Sequence, residues 1–111
     1  ALSKYSLGDY LGAIQNYTTA IKNHSLNGID WNLSDAYSNR GSVKSDLKDY
    51  YGAIADYTKA IEINPNNATA YGNRGIAKYK LNDMKGSCYD LRKAISLGST
   101  NNVDWVEENC K

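Results

Sequence analysis

Two arginines precede two aspartates at one and the same spacing, Arg40 before Asp56 and Arg74 before Asp90. A planar guanidinium can grip a carboxylate through two parallel hydrogen bonds while its stem covers apolar surface. Lys44 and Lys78 follow the arginines by one helical turn, so the same residues also admit a basic stripe for an acidic ligand. The equal spacing favours pairing. Cys88 and Cys110 lie 22 apart. They would either bridge, stapling the chain's end to an earlier helix, or remain two free thiols, and the sequence leaves both open. The expected compartment follows that choice: cytoplasmic by default, periplasmic if the two are bridged. His24 is the single histidine. With two cysteines it cannot furnish a four-ligand zinc site, and it has no partner for a catalytic dyad. No phosphate-cradling glycine loop, nucleophile elbow or carboxylate pair is present. Neither catalysis nor a cofactor or metal is expected.

The elements that would position these residues belong to one domain. The chain has 111 residues, 13 basic and 12 acidic, for a net charge of +1. Balanced charge gives no electrostatic case for nucleic acid. A mean hydropathy of −0.62 and the lack of a long apolar run argue against membrane insertion. Ten tyrosines and two tryptophans stand beside no phenylalanine.

The sequence repeats itself. Ala36-Tyr37-Ser38-Asn39-Arg40-Gly41 returns as Ala70-Tyr71-Gly72-Asn73-Arg74-Gly75, and Ala60-Ile61 returns as Ala94-Ile95, both at a spacing of 34. Residues 9–21 resemble 49–61 at a spacing of 40, which places a six-residue insertion around Asn27–Asn32. Each unit reads as two helices and a turn. Tyr50, Ala53, Ile54, Tyr57, Ala60 and Ile61 form one apolar stripe over 50–63, and Asn64-Pro65-Asn66 stops it. The preceding helix is expected over 34–47, with Ser34 as N-cap and Asp35 in its first turn. Lys48-Asp49 is the turn between them. Neither helix buries its stripe alone, so the two pack as a hairpin, brought close by Gly41 and Ala53.

This arrangement resembles the tetratricopeptide repeat family. Tyr37, Gly41, Ala53, Tyr57, Ala60 and Pro65 carry the likeness in 34–67, and Tyr71, Gly75, Leu91 and Ala94 carry it in 68–101. The second unit departs at Ser87, where the family has a small alanine, and at Ser99, where it closes with proline. Residues 1–33 hold a partial repeat, which the chain is expected to enter partway along the first helix with Ala1 at the small-residue position, followed by the inserted loop. Residues 102–111, with Val103, Trp105 and Val106, are expected as a capping helix. The run Ser96-Leu97-Gly98 into a Trp-bearing helix ending in Cys is similar to bacterial members. The resemblance implies an all-α, right-handed superhelix of antiparallel helix-turn-helix repeats.

It also implies a function without catalysis, the binding of a peptide or partner helix in a concave groove. The first helices of each unit line that groove. Its residues here are Asp35, Ser38, Asn39, Ser42 and Ser45, then Thr69, Gly72, Asn73, Ile76, Tyr79 and Lys80. Asn39 and Asn73 are equivalent, and a side-chain amide can hold an extended backbone by donating and accepting. Ile76 and Tyr79 would anchor an apolar side chain and Lys80 an acidic end. Members that clamp acidic chaperone tails use Lys, Asn and Arg on these helices. Only Asn39 matches, since the other positions fall on Leu2, Thr69 and Asn73. Two alternatives stay open: homo-oligomerisation through exposed repeat ends, including Leu2, Tyr5 and Leu7, or a regulatory fragment of a larger enzyme.

Overall fold

The computed structural model describes residues 7–22 and 31–110. The expectations placed on Ala1, Leu2, Tyr5, His24 and residues 27–30 lie outside those residues, as do those on the side chains of Leu7 and Trp31. Six helices follow one another among the described residues: α1 Leu7–Lys22, α2 Trp31–Asp46, α3 Tyr50–Ile63, α4 Ala68–Lys80, α5 Met84–Ser96 and α6 Val103–Asn109. Each packs against the next in a helical solenoid, with α2–α3 and α4–α5 as the two closest pairs.

The helix starts are written in short acceptor side chains. Asp49 takes the Gly52 amide at 3.0 Å, Asn67 the Ala70 amide at 3.0 Å and Asp83 the Gly86 amide at 2.9 Å. Each satisfies an amide that the helix itself leaves unpaired. The hairpins reverse through one left-handed residue each, Lys48 at φ 66° and its equivalent Asn82 at φ 67°. Close approach requires glycine at two positions. A Cβ on Gly41 would lie 2.9 Å from a Tyr57 ring carbon, and one on Gly75 would lie 2.9 Å from Leu91 Cγ.

The core is thin and built from small residues. Ala53, Tyr57, Ala60 and Ala70 are buried together, with Tyr37 and Ile61 packed on them. A second cluster joins Leu91, Val106 and Cys110, flanked by Cys88, Ile95 and Trp105. Tyr10 is buried as well. Tyr17, Tyr37, Tyr50 and Tyr71 are half-buried rather than enclosed.

One expected boundary is corrected. Ser34 is not the N-cap of α2, which starts three residues earlier at Trp31 and leaves Asp35 beyond its first turn. Ser34 is fully buried and donates to the Ala60 carbonyl at 2.8 Å, while Asn67 Nδ2 donates to Ser34 Oγ at 2.9 Å. A serine before an amphipathic run reads as a cap. Here its hydroxyl serves the joint between three helices.

Candidate functional site

The paired charges form a frame, not a free surface. Arg40 donates Nε and Nη2 to Asp56 at 2.8 and 2.6 Å, and Arg74 donates the same atoms to Asp90 at 2.7 and 2.7 Å. Lys44 adds a contact of 3.2 Å to Asp56, and Lys78 one of 3.0 Å to Asp90. Both aspartates are buried. The hydrogen bond to Asp56 is the main cause raising the Arg40 pKa above its ordinary value, with burial opposing it, and Asp90 acts on Arg74 in the same way. All four cations of the candidate basic stripe are thereby engaged. The guanidiniums also stack on Tyr37 and Tyr71, at 5.4 and 5.3 Å from the ring centroids.

Sequence reasoning missed the third member of this frame. Arg40 Nη1 donates to Thr18 Oγ1 at 3.0 Å, and Arg74 Nη1 donates to Thr58 Oγ1 at 3.2 Å. Each arginine thus reaches into the helix of the preceding unit. The signal was present, because Thr18 and Thr58 fall at equivalent places in the repeated segments.

The expected groove residues divide between separate places. Thr69, Gly72, Asn73 and Ile76 on α4 line an open cleft of 620 Å³, and its opposite wall is the segment Leu97–Asn102 that leads into α6. No charged side chain lines it. Asn73 Nδ2 donates to Ser42 Oγ at 3.3 Å, leaving its carbonyl oxygen and second N–H available. Asn39 is exposed and lines a different cleft of 250 Å³ with Asp9, Tyr10, Ala13 and Tyr17 of α1. The two asparagines are therefore not brought to one cavity.

The remaining positions fare differently. Ser38 is buried at 4 % exposure and presents nothing to a groove, because its face of α2 is turned to the packed interior; its carbonyl accepts from Ser42 Oγ at 3.1 Å. Ser42 is half-buried and also accepts from Tyr57 O–H at 3.1 Å. Burial pushes the Tyr57 phenol above its ordinary range, with the Ser42 hydrogen bond a smaller, opposite effect. Asp35 and Lys80 are exposed and line neither cleft. Tyr79, 44 % exposed, meets Trp105 edge-to-face with ring centroids 5.3 Å apart. Ile76, Tyr79, Leu91, Asn102 and Trp105 enclose a small apolar notch of 90 Å³ that shares Ile76 and Asn102 with the large cleft.

Cys88 and Cys110 are joined by a disulfide, with Cα atoms 5.6 Å apart, tying α5 to the end of α6. Arg92 Nη2 donates to the Cys110 carbonyl beside it. No group of residues suited to a metal ion occurs among the described residues. Nor is any described helix long and apolar enough to cross a membrane.

Comparison with known proteins bears on the fold and family. Residues 34–67 and 56–89 each match a sequence profile of the tetratricopeptide repeat. The chain is similar to the Arabidopsis OM64 TPR domain, with 31% identity, a TM-score of 0.77, and coverage of 91% of this chain and 79% of that one. It is also similar in fold to the first TPR of Spaghetti (RPAP3), solved bound to the HSP90 peptide SRMEEVD. There the identity is 22% and the TM-score 0.78, covering 93% of this chain and 79% of that one. No curated protein sequence matches the chain.

Proposed function

The chain belongs to the tetratricopeptide repeat family of protein-interaction modules, and from that premise we propose that it binds an extended, uncharged peptide segment between α4 and residues 97–102. The carrying observation is the lining of the 620 Å³ cleft: amides, hydroxyls and backbone, one aliphatic side chain and no charge. Asn73 would hold the ligand's main chain, Thr69 would add a hydroxyl, and Ile76 would meet an apolar side chain. The role is non-catalytic: the groups suit multipoint contact, not proton or group transfer.

A neighbour of this fold binds an acidic HSP90 peptide. That ligand suits this cleft poorly. A carboxylate entering it would lose water and meet no cation, because the arginines and the lysines one turn after them are held by Asp56 and Asp90.

The test is selection of peptides from a random display library by the whole chain, followed by titration of the best binder. Asn73→Ala is expected to weaken that binder about tenfold, the worth of one or two lost hydrogen bonds, with an unchanged far-ultraviolet circular dichroism spectrum. Affinity is expected to hold between low and high salt. Undiminished binding by Asn73→Ala, or selected peptides that are acidic and salt-sensitive, would defeat the assignment.

A further inference from the structure

The helix α6 is held unlike the helices it follows. Trp105 follows Tyr71 at the interval by which Tyr71 follows Tyr37, so α6 keeps the register of a first helix. Its anchors are changed. The position of Arg40 and Arg74 is Glu108, and the position of Thr58 is Arg92. The guanidinium frame that binds α2 and α4 to both neighbours therefore cannot form. At seven residues α6 is also too short to persist alone, and its N-cap Asn102 makes no side-chain capping bond. What holds it is burial of Val106, the contact of Trp105 with Tyr79, the Arg92 bond and the disulfide.

We propose that Cys88–Cys110 is a reversible redox latch that decides whether α6 is docked. The bridge is approached from one side: a hollow of 280 Å³ lined by Met84, Lys85, Cys88, Arg92, Asn109 and Cys110 opens onto it, with Cys88 half-buried and Cys110 buried. Lys85 and Arg92 place positive charge where an attacking thiolate arrives. A dithiol reductant, as its thiolate, attacks one bridge sulfur and expels the other as a thiolate, forming a mixed disulfide. Its second thiol, losing its proton, then displaces the first protein sulfur, and both protein thiolates take up protons. The protein gains two thiols and the reductant becomes a disulfide. With the link cut, α6 leaves α5, and the wall 97–102 of the cleft loses its fixed end. The consequence for peptide binding rests on the reading above, whereas the latch does not.

Hydrogen exchange of the whole chain without any peptide, followed by mass spectrometry, tests the latch apart from that reading. The hydrogen-bonded amides of 106–110 are expected to exchange about 300-fold faster in dithiothreitol than in the oxidised protein, the factor a bridge closing a loop of this length is worth. Exchange in α2, α3 and α4 stays the same, and reoxidation restores α6. The double variant Cys88→Ser, Cys110→Ser should match the reduced protein. Protection of α6 that survives reduction, or loss of protection along the whole chain at once, would overturn the proposal.

Discussion

The two hairpins leave their units by different exits. From α3 to α4 the chain crosses in residues 64–67, and Asn67 closes the joint. Its Oδ1 accepts from Ala70, and its Nδ2 donates to Ser34, which in turn donates to Ala60. From α5 to α6 the chain takes residues 97–102. Ala68 stands where Ser34 did, Ser99 where Pro65 did, and the exit turns through Gly98 at φ 106° and Asn102 at φ 69°. The first exit is sealed. The second forms one wall of the large uncharged cleft. The cleft opens where the repeat stops copying itself.

Three pairs of substitutions probe that contrast. The largest effect is expected where the hairpins agree. Arg74→Ala leaves fully buried Asp90 with Lys78 alone, at a cost of about 3 kcal/mol in urea unfolding. Arg40→Ala should cost nearly as much, since Asp56 is almost equally buried. A loss below about 1 kcal/mol for both would mean the charges are not the common frame. The next effect separates the exits. Ser34→Ala strands the buried Asn67 Nδ2 donor and leaves the Ala60 carbonyl with the Asn64 N–H alone, costing about 2 kcal/mol, whereas Ala68→Ser changes stability by less than about 0.5 kcal/mol. Equal effects in thermal denaturation would erase the distinction. The smallest concerns the helix contact. Ser87 is fully buried with no hydrogen-bond partner for its hydroxyl, at the position of Ala53. Ser87→Ala should stabilise by about 1 kcal/mol and Ala53→Ser should destabilise by at least as much.

The sequence carried the frame more plainly than the cleft. Spacing alone exposes the Arg–Asp pairs, because an element repeated at a fixed interval repeats its partners too. The helix over 50–63 is equally plain, bounded by Asp49 and Asn64. Ser34 and Ser38 misled for one reason. A small polar residue is equally at home on a helix surface and in a close helix joint, and only packing decides. The wall at 97–102 could not be read because a loop's place depends on what α6 docks against. That docking turns on whether two distant cysteines meet, which spacing does not fix.

The frame has one further property: it has a direction. Arg40 borrows its third acceptor from Thr18, and Arg74 borrows its own from Thr58, so every unit leans on the one before it. In an array coupled only between neighbours, such bonds decide how far an opening spreads. Opening α1 would deprive Arg40 of Thr18, and opening α2 would deprive Thr18 of Arg40 by the same free energy, since coupling is reciprocal. Two threonine hydroxyls thus tie three successive units into one cooperative array, although each contact is built from one side only.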